Sequence, residues 1–357
     1  MTGVLTATLF LFAVIVCGRI VNLIARAVVV IIAVRRTFAG VGGFITFVRF
    51  CCIIAPFVHF VHSESIKVMC RFLAYAGAPL LLADLLYRPV NSLIMQSYKA
   101  RERAEPLNGD GFGVGWYVPE IDPSPCVQRT VMPAWSNRNL QSLASKVHAS
   151  CLFAHVRAAS PGMAVIESNV HPFVYDRFMW MHNGSIANFE RIKRRLRESL
   201  KDEFYNMVMG TTDSEHAFAL FLNSLRVPFG EAQGEDMRVA LVETIALLNE
   251  WTRAAEIVEP SYYNFAVTDG HSIVVSRYCS AEGLTANSLH ISRGLRFECL
   301  PGGLCDMHTV KREEQAAAVI VSSERLTDDK DDWLDVPDNH TVTVTPDLNV
   351  QVELITF

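Results

Sequence analysis

Between Arg71 and Val344 the apolar residues change their period twice, and that order limits the folds open to the chain. Short apolar runs come first: Arg71–Ala76, the strand that leaves the Gly-rich turn Asn108–Trp116, Cys151–Val156 and Phe178–Met181. Their lengths suit buried strands. Phe189, Ile192, Leu196 and Leu200 then recur at helical spacing, with Lys and Arg between them. Thr212-Asp-Ser-Glu215 is a capping-box pattern before an apolar helix over Ala217–Leu225. Leu241, Ile245 and Leu248 mark another helix. Strands return at Tyr262–Val267, Ser272–Arg277, Ala317–Val321 and Thr341–Val344; the turn Thr268-Asp-Gly-His271 joins the first two. Strands, helices and strands again predict an α+β fold or a sheet sandwich flanked by helices. No internal repeat or low-complexity linker divides residues 70–357, which read as one domain.

Residues 1–69 have another character. Positions 1–66 hold five Arg, no Lys and one acid, Glu64. Val4–Val16 is shorter than the roughly 18–20 residues of a membrane span. Ile20–Val34 is interrupted by Asn22 and Arg26, and Phe38–Val61 by Arg49, Pro56 and His59. No basic segment precedes the first apolar run, as a secretory signal would need. An Arg-rich, acid-poor start fits a mitochondrial presequence, but this one is neither Ser-rich nor amphipathic. Three readings stay open: a membrane anchor, a processed leader, or an over-extended gene model with its start at Met69. The expectation is the third, because of what Cys70 heads.

Residues 70–357 carry 26 Lys and Arg against 36 Asp and Glu, a net charge of −10. An acidic body without a basic stripe excludes nucleic acid as the expected partner. The nine cysteines are odd in number and form no C-x-x-C pair. The expectation is therefore reduced thiols in a cytoplasmic protein, without a disulfide framework or a zinc site. His155, His171 and His182 stand 16 and 11 residues apart, which fits no short ligand motif, and roles in the core or in support of the site are expected for them. The Gly-rich turn is no dinucleotide fingerprint, since Trp116 stands where Gly111-x-Gly113-x-x needs its third glycine. No cofactor is expected.

Four short stretches bear chemistry: Met69-Cys70-Arg-Phe, Ala154-His-Val-Arg157-Ala-Ala-Ser160, Met181-His-Asn183-Gly184 and Thr212-Asp213-Ser-Glu. Each has an ordinary explanation alone: a buried thiol, a structural ion pair, a turn, a helix cap. In this order they resemble the class II glutamine amidotransferases, hydrolases whose nucleophile is an N-terminal cysteine. With "NGDGFGVGWY", "MHNGSIANF" and "TTDSEHAFALFL", the likeness is nearest to the fungal branch that acts as an amidotransferase-like subunit in glutathione degradation. It runs from about residue 70 to the C-terminus.

The resemblance implies a four-layer αββα sandwich and assigns roles. Cys70 is the nucleophile; Asn183, through its side-chain amide, and Gly184, through its backbone N–H, hold the oxyanion. Arg157 and Asp213 grip the α-carboxylate and α-ammonium of a γ-glutamyl group, and Ser160 is a hydroxyl near that carboxylate. Chemistry agrees. A free α-amine has a pKa near 8 and can take the thiol proton itself, but only if Cys70 is residue one. That is why Met69 is the expected start, or cleavage before Cys70 the expected alternative. The expected reaction is hydrolysis of glutathione to glutamate and Cys-Gly through a Cys70 thioester. The resemblance adds a metallopeptidase-type protein partner in a hetero-oligomer. Alternatives are another γ-glutamyl conjugate, as in the ergothioneine-pathway amidohydrolases, or glutamine hydrolysis feeding ammonia to a partner. A reading of another class is a membrane-anchored, non-catalytic γ-glutamyl-binding subunit.

Overall fold

A computed structural model describes residues 70–102, 107–159, 162–300, 305–309 and 316–357. The apolar extension and Ser160 lie outside the described residues.

The first sheet takes β1 (Arg71–Leu81), β2 (Phe112–Val118), β3 (Asp122–Thr130) and β4 (His148–Val156) from the start of the body. From its end the sheet takes β9 (His290–Cys299), β10 (Cys305–Thr309), β11 (Ala318–Ser322) and β12 (Leu334–Asp335). The order is β10-β9-β11-β1-β4-β2-β3, with β12 on β9. The second sheet runs β14 (Val350–Leu354), β13 (His340–Val344), β8 (Ile273–Arg277), β7 (Tyr262–Thr268), β6 (Phe178–Ser185), β5 (Phe173–Tyr175). Every pairing is antiparallel.

Period-two alternation explains the layers. On β1, Phe72 and Ala74 face the second sheet, and Leu73 and Tyr75 face the outer helices. On β6, Met179 and Met181 meet that same inter-sheet core, and Phe178 and Trp180 point outward. A strand apolar on both faces must be covered on both, and helices do this. α1 (Leu82–Leu86), α2 (Leu93–Lys99) and α3 (Arg138–Ala144) cover the first sheet through Leu82, Leu93 and Leu140. α4 (Lys193–Ser199), α5 (Asp202–Met207), α6 (Asp213–Ser224) and α7 (Gly234–Ala254) cover the second. Trp180 packs there against Phe218, Phe221 and Phe265, with ring centroids 5.7, 5.4 and 4.7 Å away. The result is the four-layer αββα sandwich.

The sheets approach closely where the Gly-rich turn becomes β2. A Cβ on Gly113 would stand 1.9 Å from the carbonyl oxygen of His171. Backbone occupies that space, so only glycine fits. The three central histidines have core roles as expected. His155 Nε2 lies 3.1 Å from the His182 carbonyl, and its ring sits 4.1 Å from that of His171. Burial pushes His155 down to about 3 and His171 well below its ordinary value.

Two expectations are corrected. Cys299, ending β9, is bridged to Cys305, opening β10. The two stand directly opposite in the antiparallel register, a pairing that sequence spacing does not reveal. Cys70, Cys126, Cys151 and Cys279 are not bridged, and burial pushes the Cys151 thiol up to about 12. The capping box is also only half formed. Thr212 Oγ1 accepts the Glu215 N–H at 3.2 Å. The Glu215 carboxylate turns instead to the N–H groups of Met209 and Gly210, at 3.0 and 2.6 Å.

Candidate active site

Cys70 sits immediately before β1, partly exposed. Its sulfur accepts the Ala158 N–H at 3.4 Å and lies 3.6 Å from the Ala158 carbonyl oxygen. The N–H stabilises the thiolate, the form that attacks, and the carbonyl oxygen accepts the S–H of the thiol. The Cys70 carbonyl accepts Nη1 of Arg71 at 3.0 Å. Arg71 is itself held at 2.8 Å by Glu324, and both side chains are fully buried. The same carboxylate accepts the backbone N–H groups of Arg101 and Glu102 and the amide of Asn91. A buried charge pair with this many donors leaves little freedom to the residue it holds.

Arg157 follows β4, next to the alanine that touches Cys70. It is buried, and the Gly-rich turn wraps it. Its N–H donates to the Gly111 carbonyl at 2.8 Å, and its own carbonyl accepts the Asp110 N–H at 3.0 Å. Its guanidinium donates to the carbonyl oxygens of Asp110 and Ala164 at 3.4 and 3.3 Å. Asp110 Oδ2 accepts the Ala159 N–H at 2.8 Å. Asp110 thus belongs to the turn that holds Arg157.

Asn183 and Gly184 come from the second sheet. Asn183 is fully buried near the end of β6, and its Nδ2 donates to Ser323 Oγ at 3.2 Å. A Cβ on Gly184 would stand 1.9 Å from the Tyr262 carbonyl oxygen. The close β6–β7 approach therefore requires glycine there. His182 fixes this segment. Its Nε2 faces the Tyr262 carbonyl at 2.9 Å and its Nδ1 faces Ser214 Oγ at 2.9 Å. A carbonyl only accepts, so the proton is on Nε2. Burial lowers the His182 pKa, against the pull of Asp213, and the ring acts as a neutral strut.

Asp213 begins α6 with Thr212 as its N-cap. Its Oδ2 accepts the N–H of Ile186, just past β6, at 2.8 Å, and its Oδ1 accepts the Ser214 N–H at 2.9 Å. Asp213 is thereby tied to the segment that follows Asn183-Gly184, and Arg157 to the Gly-rich turn. Sequence reasoning missed Arg71, Ser323 and Glu324. The Ser322-Ser323-Glu324 stretch follows an apolar run and reads as the polar end of a strand. Nothing in its order marks it as buried.

Two stacked antiparallel sheets, one headed by Cys70 just before β1 and the other carrying Asn183 and Gly184 on β6, have the architecture of an amidotransferase of the N-terminal-nucleophile type. The family of class-II glutamine amidotransferases matches residues 88–347, and the chain belongs to it. It is 42% identical over 295 residues to a probable glutamine amidotransferase of Saccharomyces cerevisiae named DUG3, covering 77% of this chain and 82% of that one. It is 35% identical over 119 residues to the gamma-glutamyl-hercynylcysteine sulfoxide hydrolase of Mycolicibacterium smegmatis, 33% of this chain and 52% of that protein. Among solved structures, a glutamine aminotransferase class-II domain protein of Silicibacter pomeroyi aligns with TM-score 0.56 and 25% identity. That alignment covers 81% of this chain and all of the other. The glutamine phosphoribosylpyrophosphate amidotransferase of B. subtilis shares the fold at TM-score 0.52 and 15% identity, over 81% of this chain and 50% of its own. The chain is therefore an amidotransferase or amidohydrolase by family.

Proposed function

We propose that the protein hydrolyses a γ-glutamyl amide, with glutathione as the substrate, through a thioester on Cys70. A start at Met69 with loss of that methionine, or cleavage before Cys70, makes Cys70 the N-terminus. Its α-amine takes the thiol proton, and the thiolate attacks the γ-carbonyl carbon. The tetrahedral oxyanion is held by Nδ2–H of Asn183 and the N–H of Gly184. Collapse breaks the C–N bond, and the ammonium returns its proton to the departing cysteinyl nitrogen. Cys-Gly leaves. Water, deprotonated by the same amine, cleaves the thioester and releases glutamate. Arg157 binds the α-carboxylate, Asp213 the α-ammonium, and Ser160 lends a hydroxyl to the carboxylate. The setting is the cytoplasm, with a metallopeptidase-type partner in the complex. Among the described residues no helix is long and apolar enough to cross a membrane.

The observation that supports this reading most is the sulfur of Cys70 set 3.4 Å from the Ala158 N–H, one residue from Arg157. The M. smegmatis likeness favours a second reading, the same chemistry on another γ-glutamyl conjugate.

The test has two parts. The protein is purified from its own cells and its N-terminus sequenced, with Cys70 expected as residue one. That material is then offered glutathione, glutamine and L-γ-glutamyl-p-nitroanilide. Glutamate release from glutathione, lost in Cys70→Ala, supports the proposal. Faster release from the other amides moves the substrate to the second reading. An intact Met1 start in fully active protein, or full activity in Cys70→Ala, overturns the mechanism.

A further inference from the structure

One hydroxyl stands where the nucleophile's strand meets the oxyanion residue. Ser323 lies just past β11, and its backbone continues the pairing with β1: its N–H donates to the Phe72 carbonyl at 3.0 Å. Its Oγ accepts the Phe72 N–H at 3.1 Å and the Asn183 Nδ2–H at 3.2 Å. Phe72, Asn183 and Ser323 are all fully buried. Phe72 is two residues from Cys70 in the first sheet, and Asn183 is in the second. A single oxygen therefore couples the chain that carries the sulfur to the amide that meets the oxyanion.

We infer that Ser323 is a positioning residue that sets the plane of the Asn183 amide, so that its second N–H is presented to the oxyanion. The inference rests on the oxyanion role proposed above. The last torsion of an asparagine is soft and roughly two-fold, so an unanchored amide can turn its oxygen toward the site. There it would repel the developing negative charge. Among the described residues the Ser323 contact is the one hydrogen bond of the Asn183 side chain, since Oδ1 has no partner. The Asn183 backbone is held separately, by Asn287 Nδ2 on its carbonyl at 3.2 Å. Ser323 is fixed in turn by the Phe72 pairing and by Ser288 Oγ, which donates to its carbonyl at 2.8 Å. A hydroxyl oxygen has two acceptor positions, and Phe72 and Asn183 use both.

The experiment is a double-mutant cycle on the γ-glutamyl amide that the wild type cleaves fastest. It uses protein from the full-length gene, in the form that starts at Cys70. Asn183→Ala is expected to lower kcat roughly 100-fold or more, as loss of one oxyanion donor does. Ser323→Ala is expected to lower kcat roughly tenfold or more while KM stays within about threefold. In the Asn183→Ala background the serine change should cost almost nothing further, because the amide it orients is gone. Alkylation of Cys70 by iodoacetamide builds no oxyanion, so its rate should match wild type in Ser323→Ala. An undiminished kcat, an equal cost in both backgrounds, or slowed alkylation each overturns the inference. Ser323→Cys, which keeps size and a weaker acceptor, should be intermediate, and it reads the same contact if the alanine variant does not fold. If Cys70→Ala retains activity, the proposed mechanism itself falls. If Cys70→Ala is dead and Ser323→Ala is fully active, only the role of Ser323 falls.

Discussion

Gly184 shows how little latitude the site leaves a single residue. A methyl there would meet the Tyr262 carbonyl oxygen at 1.9 Å and His182 Nε2 at 2.7 Å. The first contact is backbone in a paired strand, so the β6–β7 ladder itself must move. Gly184→Ala is expected to cost about 1–3 kcal/mol in a urea melt and to lower kcat roughly 100-fold through the displaced N–H. A variant with wild-type kcat would remove Gly184 from the site. Asp213 separates position from charge. Asp213→Asn keeps the acceptor for the Ile186 N–H and loses the charge that would meet an ammonium. Steady-state kinetics should show KM up roughly tenfold, about the value of one charged hydrogen bond, with kcat less affected. Both residues were singled out in the sequence because their types and order resemble the site of a known family. Ser323 and Glu324 were not, since a polar tripeptide after an apolar run reads equally well as solvated loop.

At the scale of elements, α6 links stability to the site. Thr212 caps it through Glu215 N–H at 3.2 Å, and Asp213 is its first residue. Thr212→Ala is expected to cost about 1 kcal/mol in thermal or urea unfolding. It should also raise KM, because the first turn carries the carboxylate. An unchanged KM would show that Asp213 is held by Ile186 and Ser214 alone. Regular apolar runs were readable: β1, β4, β6, β7 and β13 contain the strands expected of them, and β8 and β11 begin one residue later than expected, at Ile273 and Ala318. The predicted single helix over Phe189–Leu200 is instead a short 3-10 turn at Phe189–Arg191 followed by α4. Its basic face is solvated, with Arg194 paired to Glu198 in the open. β3 was missed because Asp122-Pro-Ser-Pro-Cys126 looks like a loop. It is an edge strand, where a missing N–H can face solvent.

For the whole molecule, the buried charges and the buried histidines make opposite demands. Arg71 and Glu324 are stable only as a pair. Glu324→Ala should cost about 3–5 kcal/mol, since it strands a buried guanidinium, and Cys70 should be alkylated more slowly by iodoacetamide once its carbonyl is released. His155 and His171 are held neutral by burial, with folded pKa values below the ordinary 6.5. The unfolded chain therefore takes up protons that the folded chain refuses as pH falls from about 6.5 toward 3. Stability is fully present above that window and is lost on acidification. Each such histidine contributes up to about 1.4 kcal/mol per pH unit to the slope. His171 has no hydrogen-bond partner for either ring nitrogen among the described residues. His171→Phe should therefore flatten the dependence of the urea midpoint by about one proton between roughly pH 7 and pH 5. Identical slopes would mean that His171 is protonated in the folded state.

The sequence by itself determined the periodic elements, the α+β class and, through the order of four short motifs, the family. Those are local properties: side-chain period, turn composition and residue type along one stretch of chain. Only the tertiary structure decided that Asn183 of one sheet and Phe72 of the other share a hydroxyl on Ser323, 140 and 251 residues away along the chain. It also decided that Cys299 faces Cys305 and that Glu324 anchors Arg71. Those contacts depend on strand register and on which polar group is left without water. Both are set when the sheets stack and the whole core closes, so no local stretch of sequence encodes them.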